Sequence, residues 1–418
     1  MTSFSLQNFG CRANQAEAFA WAEAFQRRGL RLETNPGQGE LVVVNTCTLT
    51  GRADRDVRRF IRKVVRENPA ARLVVTGCLV ERARQELEAI PGVWRFIPNS
   101  QKANLPELVL GPAPADEPVR TIAQAQPFRA RALLKIQDGC DLRCTFCIIP
   151  SVRGRSSSLL PEMVIHRLRQ LTAGGFQEVV LTGIHLCSYG QDLRPKTSLP
   201  ELLTSVEQAG LPLRLRLSSL DPRSLDQTLI EALTGSPAVC PHFHLSLQHG
   251  SERLLQRMGR RGGAAFYSRI LYILRERSPQ AALGADIIVG FPGETEADFE
   301  ETREFLERSP LTTLHIFSYS ARPGTPAASW PQVSPLIKKE RAAALRRISA
   351  AKNQAFRRSF LGREMEAVVV KRTKGGLHLL TANYLSLTAP ADGRGSVSPV
   401  KVLISEEAEG GLRGVVLS

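Results

Sequence analysis

The sequence of 418 residues has no apolar run long enough to cross a bilayer, no low-complexity segment and no repeat of fixed period. Its first five residues lack the basic region and the apolar region of a signal peptide. We therefore expect a cytoplasmic protein with no membrane partner. Because cytoplasmic thiols stay reduced, the eight cysteines are expected to be metal ligands, catalytic thiols or core residues rather than disulfides.

The sequence has fewer acidic than basic residues. The sequence has 40 Asp and Glu against 55 Lys and Arg, which gives a net charge of +15. Such an excess does not help folding, because self-repulsion opposes compaction. A polyanionic partner, with nucleic acid first, is the usual reason, and a general bias toward arginine is the alternative.

The alternation of strand and helix signals over residues 1–112 predicts a doubly wound parallel sheet. In the first helix of this unit, Asn14 and Glu17 are expected to form a capping box, and Gly29 is expected to end the helix. A linker rich in Pro and Ala follows over residues 111–127.

Residues 126–355 carry six strand candidates separated by helical stretches, a pattern typical of a parallel barrel. The candidates lie near 132–137, 178–182, 213–217, 243–247, 283–289 and 312–318. Six units rather than eight favour an incomplete barrel. Residues 356–418 alternate short β-like runs with Gly-rich turns, which predicts a small β-barrel. The predicted fold class is therefore α/β, with an N-terminal doubly wound sheet, a central partial (β/α)6 barrel and a small C-terminal β-barrel.

The sharpest motif is the C-x3-C-x2-C run formed by Cys140, Cys144 and Cys147, directly after the first barrel strand. Three thiolates on one short loop suit three corners of a cubane iron–sulfur cluster and leave the fourth iron open. Structural zinc is the alternative, but it needs a fourth protein ligand, and no second Cys or His pair lies nearby in the sequence.

A second set of thiols is spread along the N-terminal unit. Cys11, Cys47 and Cys78 each follow a predicted strand, and the carboxyl ends of parallel strands meet at one edge of a sheet. Taken singly, each is a common buried thiol, but together they predict a second metal cluster. Cys187 and Cys240 are assigned to packing, and so are the histidines at 242 and 244.

These residues resemble the radical S-adenosylmethionine superfamily, and within it the methylthiotransferases of the MtaB type, which act on threonylcarbamoyladenosine in tRNA. The resemblance extends over essentially the whole chain, and the last unit resembles a TRAM domain. The segments that carry it are GCRANQ (10–15), NTCTLT (45–50), KIQDGC (135–140), LTGI (181–184), SYG (188–190) and DIIVGFPGE (286–294).

The resemblance implies two 4Fe–4S clusters, one on each cysteine triad, and S-adenosylmethionine as cofactor. The implied reaction converts N6-threonylcarbamoyladenosine at tRNA position 37 to its 2-methylthio derivative, with clusters and cofactor rather than side chains carrying the chemistry. It also implies a reductant such as flavodoxin or ferredoxin and a sulfur donor that the sequence does not identify. The residues expected to contact S-adenosylmethionine are Phe146, Thr182, Gly183, Ser218, Ser219 and Gln248.

Contact with the anticodon stem-loop is expected from cations. Six of them recur at helical spacing on one side of a predicted helix, and apolar residues occupy the other side. These six are Arg55, Arg58, Arg59, Arg62, Lys63 and Arg66. Arg153 and Arg155, just after the radical cluster motif, are also predicted RNA contacts, and a local ion pair is the alternative for both.

Three other functions fit parts of the pattern. A methylthiotransferase could act on isopentenyladenosine in tRNA or on a ribosomal protein side chain. A non-catalytic zinc or RNA-binding protein is the alternative from another class.

Overall fold

The computed structural model describes residues 1–112, 131–373, 375–390, 399–408 and 411–417. Most of the predicted linker over 111–127 lies outside these ranges, as does residue 126, the predicted start of the central unit. Within the described residues, no helix is both long and apolar enough to span a membrane.

The N-terminal unit is a parallel five-stranded sheet in the order β2-β1-β3-β4-β5. Its strands are β1 (Ser3–Asn8), β2 (Arg31–Leu32), β3 (Leu41–Thr46), β4 (Arg72–Gly77) and β5 (Arg95–Ile97). Its helices are α1 (Arg12–Arg27), α2 (Gly51–Glu67), α3 (Cys78–Glu88) and α4 (Leu105–Leu110).

Helices cover both faces of this sheet, because alternate residues of each strand point to opposite sides. Val42 and Val44 of β3 pack in a cluster with α2 and α3. Leu41 and Val43 pack in another cluster with α1 and α4. The predicted doubly wound arrangement is confirmed.

The predicted capping box of α1 is wrong. The N-cap is Cys11, and it makes no side-chain capping bond. Asn14 is buried inside the helix and donates from Nδ2 to the carbonyl oxygens of Phe9 and Thr46, at 2.8 and 2.9 Å. Glu17 is buried as well, among cations of other segments described below. The predicted end is confirmed, since Gly29 has φ 80° just beyond the C-cap.

The central unit has six parallel barrel strands, as predicted. They form two three-stranded sheets, β6-β9-β10 and β11-β12-β13, which isolated bridges link at Leu215–Val239 and Leu220–Leu245. The strands are β6 (Arg131–Lys135), β7 (Gln137–Asp138), β8 (Ser157–Ser158), β9 (Glu178–Thr182), β10 (Arg214–Leu217), β11 (His242–Gln248), β12 (Ala282–Val289) and β13 (Thr313–Ser318); β7 and β8 form a small separate pair.

Helices surround the outer face of these strands and bury the largest apolar core of the chain. They are α6 (Pro161–Ala173), α7 (Leu199–Gln208), α8 (Gln227–Gly235), α9 (Glu252–Arg257), α10 (Gly263–Arg277), α11 (Glu296–Arg308) and α12 (Pro335–Arg358). The short helix α5 (Ile149–Arg153) instead packs beside Cys78 in a separate apolar cluster. Outward-facing residues such as Val179 and Leu181 join this core, so their neighbours Val180 and Thr182 point into the barrel.

The C-terminal unit is a closed barrel in the order β14-β15-β16-β18-β17. Its strands are β14 (Glu364–Thr373), β15 (Gly376–Thr381), β16 (Ser386–Ala389), β17 (Val400–Ala408) and β18 (Gly411–Val416). The loop after β15 docks against the first residues of the central strands. There, Arg216 donates to the carbonyl oxygens of Ala382 and Thr381, at 2.9 and 3.2 Å.

Candidate cluster-binding site

The C-x3-C-x2-C motif forms a loop between β7 and α5, and backbone hydrogen bonds hold it in place. The amide of Cys140 donates to Gly154 O at 3.1 Å, and the amide of Cys147 donates to Cys144 O at 3.1 Å. The three thiols are electrostatic neighbours: burial raises the pKa of Cys140 and Cys147 most, and negative charge on Cys144 raises both further.

Glycine precedes the first cysteine of this loop for a steric reason. Gly139 has φ 68°, and a Cβ there would lie 1.9 Å from the carbonyl oxygen of Arg155. Only glycine combines this backbone conformation with so close an approach. The position before Cys140 therefore requires glycine.

The N-terminal cysteines also come together. Cys11 lies between β1 and α1, Cys47 directly follows β3, and Cys78 is the first residue of α3. Burial raises the pKa of Cys47 most, and together with negative charges on Cys11 and Cys78 it brings this pKa to about 12. A Cβ on Gly10 would lie 2.6 Å from Cys47 Sγ, so the backbone before Cys11 packs directly against this thiol.

The two triads approach each other at the junction of the N-terminal and central units. Cys78 packs in one apolar cluster with Ile148, Ile149 and Val152, and Cys140 and Cys147 pack against the same cluster. The structure therefore brings all six predicted ligands into one region. This is the arrangement that two clusters serving a common cavity would need.

The spacing of the thiols bears on which metal group they suit. A single tetrahedral zinc ion, with Zn–S near 2.3 Å, holds its sulfurs about 3.8 Å apart. Among the described residues, only His244, Asp286 and His315 bring three ligand atoms within 4.8 Å of one another. In each cysteine triad, at least one pair of sulfurs therefore lies more than 4.8 Å apart, a spacing that suits a cluster of several irons better than one ion.

Backbone amides also favour thiolates at these positions. Leu49 N lies 3.5 Å from Cys47 Sγ, two residues away. The amides of Leu142 and Ile149 act in the same way and lower the pKa of Cys140 and Cys147, although burial outweighs them. A buried thiolate without a cation is unfavourable, so bound iron would stabilise the form that these amides select.

Several predicted S-adenosylmethionine contacts lie at the carboxyl ends of β9, β10 and β11. Gly183 N donates to Ser218 Oγ at 3.3 Å, and a Cβ on Gly183 would lie 2.8 Å from the side-chain oxygen of Gln137. Thr182 is fully buried, and its hydroxyl has no hydrogen-bond partner among the described residues. Such an unsatisfied polar group at a strand end suits a ligand that completes its bonding.

The other predicted contacts are less closely grouped. Ser219 is exposed, and Gln248 adopts φ 74°, which is rare for a residue with a side chain. The ring of Phe146 packs edge-on against Phe291 with 6.4 Å between centroids, so its side chain belongs to the apolar core.

Sequence reasoning missed a polar group beside the C-x3-C-x2-C loop. Arg223 Nη2 lies 3.8 Å from Cys144 Sγ, and its guanidinium pairs with the buried carboxylate of Asp221. His185 Nε2 lies 3.9 Å from the same carboxylate, and burial lowers the pKa of this histidine. Their position in the sequence could have identified them, because all three follow the ends of β9 and β10, where the active-site residues of parallel barrels lie.

A second missed group lies inside the barrel on three adjacent strands. Asp286 Oδ1 lies 2.9 Å from His244 Nε2 and 3.4 Å from His315 Nδ1. The neighbouring His242 stacks instead on the ring of Tyr384, with 4.2 Å between ring centroids. The sequence predicts packing alone for His244, whereas in the structure it is one of three potential ligands held close together.

The prediction that Arg153 contacts RNA is wrong. Its side chain is 1% exposed, and its guanidinium lies 3.0 Å from Glu17 and 2.8 Å from Asp138. Arg153 also donates to Asn14, so it joins α5 to α1. The side chain of Arg155 is 94% exposed, and its Nε lies 3.5 Å from Oδ1 of Asp141, which is also exposed. Arg155 therefore forms a local ion pair but stays accessible to a large ligand, and its contact with RNA remains a prediction.

The predicted basic stripe lies on α2. Arg58 is half-buried, and the other five cations of the stripe are exposed: Arg55, Arg59, Arg62, Lys63 and Arg66. Acidic side chains lie closer to this stripe than the sequence predicts. Arg58 pairs with Glu86 of α3, while Lys63 and Arg66 lie 3.8 and 2.9 Å from Glu67.

Comparison with known proteins gives the family. Residues 3–97 match the family described as "Uncharacterized protein family UPF0004", and residues 134–306 match the "Radical SAM superfamily". The threonylcarbamoyladenosine tRNA methylthiotransferase MtaB of Aquifex aeolicus is 36% identical over 398 residues, covering 92% of this chain and 95% of that protein. The tRNA-2-methylthio-N(6)-dimethylallyladenosine synthase of Dictyoglomus thermophilum is 33% identical, covering 82% of this chain and 81% of that protein.

One further relative supports the same conclusion, and one solved structure shares the fold. The ribosomal protein uS12 methylthiotransferase RimO of an Anaeromyxobacter species is 32% identical, covering 94% of this chain and 87% of that protein. The radical S-adenosylmethionine methyltransferase TsrM of Kitasatospora setae shares the fold, with a TM-score of 0.56 at 16% identity, covering 78% of this chain and 77% of that one. The alternative of a non-catalytic zinc or RNA-binding protein is therefore wrong. This chain is an enzyme that belongs to the radical S-adenosylmethionine methylthiotransferase family.

Proposed function

We propose that this enzyme converts N6-threonylcarbamoyladenosine at position 37 of tRNA to its 2-methylthio derivative in the cytoplasm. The observation that carries the chemistry is that Cys78 of one triad packs in the same apolar cluster as Cys140 and Cys147 of the other. The choice of substrate is supported by the MtaB name of relatives that align over most of this chain. The net charge of +15 favours RNA over a protein side chain as substrate.

We infer that Cys140, Cys144 and Cys147 hold one 4Fe–4S cluster, and that Cys11, Cys47 and Cys78 hold a second. When bound, these groups supply one-electron cleavage of S-adenosylmethionine, hydrogen abstraction at adenine C2, and a sulfur that a second S-adenosylmethionine methylates. The donor sets fit this role, since each triad offers three free thiols that can bind iron after losing their protons.

The side chains around the first triad position the cofactor rather than react with it. Thr182 and Gly183 are proposed to receive the amino group of its methionine part, and Ser218 and Ser219 its ribose hydroxyls. Gln248 supplies a further polar contact. Phe146 contributes through its backbone, because its ring is already engaged in the core.

The RNA is proposed to lie across α2 and the rim of the central barrel. The exposed cations of α2 and the exposed Arg155 suit phosphates of the anticodon stem-loop. Electrons come from a small reductant of the flavodoxin or ferredoxin class, and the donor of the inserted sulfur is left open.

Iron content separates the two clusters. After anaerobic reconstitution, the protein is expected to hold about eight irons per chain, and Cys78→Ala about four. Cys78→Ala should still cleave S-adenosylmethionine but insert no sulfur, whereas Cys144→Ala should lose the cleavage. Cys240→Ala removes a buried thiol outside both triads and is the matched control. Full methylthiolation by Cys78→Ala would rule out the division of labour between the triads.

The substrate is tested with three acceptors side by side. Anticodon stem-loops carrying threonylcarbamoyladenosine or isopentenyladenosine, and ribosomal protein uS12, are incubated with the reconstituted enzyme. The products are identified by mass spectrometry. We expect conversion of the threonylcarbamoyladenosine substrate alone. If the enzyme instead converts the isopentenyladenosine substrate or uS12, its function is that of the relative with the corresponding name.

A further inference from the structure

A cationic pocket lies where the three units of the chain meet. It has a volume of about 410 Å³ and is lined by α1, by the inward face of β6 and β9, and by the C-terminal barrel. The lining residues are Arg12, Gln15, Arg131, Ala132, Leu133, Val180, Val370 and Tyr384. The pocket is therefore open to the interior of the central barrel, where inward-facing residues such as Val180 point.

Three guanidinium groups surround the tyrosine ring at the base of this pocket. Arg12, Arg131 and Arg216 place Cζ at 5.9, 5.8 and 4.9 Å from the ring centroid of Tyr384. Burial raises the pKa of Tyr384, but these three charges outweigh it and lower the pKa. The local potential is therefore positive.

The acidic residues nearby do not balance these cations. Glu178 is shared by Arg131, Arg214 and Arg216, with distances between 2.7 and 3.0 Å. Arg12 has no carboxylate within 4.0 Å among the described residues, and its guanidinium donates instead to the hydroxyl of Tyr384, at 3.2 Å. A guanidinium with several N–H donors facing a partly buried pocket suits a carboxylate, which it can bind with two parallel hydrogen bonds.

Arg12 places this pocket next to the proposed site of the reaction. Arg12 directly follows Cys11, one of the ligands inferred for the sulfur-carrying cluster. In adenine, C2 and C6 are separated by a single ring nitrogen. A base whose C2 faces that cluster therefore carries its N6 substituent close to Cys11 and its neighbour.

We propose that Arg12 binds the carboxylate of the N6 substituent and so selects a base modified with an amino-acid carbamoyl group over one modified with an apolar group. This inference rests on the proposed function and names the contact that determines its substrate. An isopentenyl group offers no acceptor, so binding it here would desolvate Arg12 without a partner.

The test uses reconstituted enzyme and two anticodon stem-loops. One carries threonylcarbamoyladenosine and the other its threonine methyl ester, which removes the negative charge but keeps the shape. The wild-type enzyme is expected to prefer the free acid by about 10–100-fold in kcat/KM, the value of a charge-assisted hydrogen bond. Arg12→Gln should bring the two substrates close to equality, mainly through KM for the acid, and Arg12→Lys should keep part of the preference.

Two controls separate recognition from damage to the fold or cluster. Arg308→Gln removes an exposed arginine on α11, 79% exposed, and should leave the preference unchanged. Iron content and cleavage of S-adenosylmethionine without RNA should be the same in Arg12→Gln and wild type, because recognition of the substituent does not affect either. If Arg12→Gln retains the full preference for the free acid, the inference is wrong although the proposed function stands. If wild type does not methylthiolate the free acid at all, the proposed function itself is wrong.

Discussion

Replacing Glu178 with glutamine is expected to destabilise the folded enzyme by about 3–5 kcal/mol, the usual effect of removing one partner from a buried ion pair. Glu178 is the first residue of β9, and none of its side chain is exposed. Arg131 Nε, Arg214 Nε and Arg216 Nε lie 2.7, 3.0 and 2.8 Å from its oxygens. The substitution leaves these cations without their shared anion.

The lowered pKa of this carboxyl gives a second value for its contribution to stability. Burial raises the pKa of Glu178, but hydrogen bonds from Arg216 and the surrounding charges outweigh it and lower the pKa from 4.5 to about 2. A difference of that size corresponds to about 3 kcal/mol. Because the pKa is lowered in the folded state, this stabilisation is present above pH 4.5 and is lost as the pH falls toward 2.

The assay is urea unfolding followed by circular dichroism at pH 7, together with limited proteolysis of the C-terminal barrel. Arg214 and Arg216 donate to the carbonyl oxygens of Leu380, Thr381 and Ala382, so loss of Glu178 should also loosen that barrel. Glu304→Gln, on an exposed helix face, is the control and should unfold like wild type. A Glu178→Gln protein within about 1 kcal/mol of wild type, with an unchanged proteolysis pattern, would refute the reasoning.

Three further predictions concern the clusters and the RNA. Gly139→Ala should lower the iron content to about four per chain, since its Cβ would meet a carbonyl oxygen at 1.9 Å, and iron analysis of the reconstituted protein checks this. Arg62→Gln combined with Lys63→Gln should reduce the slope of log K for tRNA binding against log salt by about 2, as measured by filter binding, because two phosphates are no longer neutralised. Arg153→Met should leave that slope unchanged but destabilise the protein by about 3–5 kcal/mol in urea unfolding, because its charge is buried in pairs.

Features that follow from strand order could be predicted from the sequence. The six barrel strands and the doubly wound sheet were recognisable from apolar runs, because a buried parallel strand has a continuous apolar sequence. The meeting of Cys11, Cys47 and Cys78 followed from the same rule, since each of them lies at the carboxyl end of a strand in one sheet.

Features that depend on partners distant in the chain could not be predicted. Asn14 and Glu17 have the spacing of a capping box, yet both side chains bond to other segments, and the partners Lys102 and Arg153 lie 85 and 136 residues from Glu17. The same pairing removes Arg153 from the RNA surface. Local sequence gives the charge of a side chain but not the tertiary contact that neutralises it.

The ion cluster around Glu17 has a mechanical consequence. One buried carboxylate joins Lys102 of the N-terminal unit to Lys135 and Arg153 of the central unit, at 2.7, 2.8 and 3.0 Å. Parting the two units would break the ion pairs that Lys135 and Arg153 make with Glu17 across the junction, which opposes any hinge there. The separation between the two cysteine triads is thus set by the architecture. Under the proposed function, the RNA base is therefore expected to move to the inserted sulfur, since the two units cannot swing the sulfur to the base.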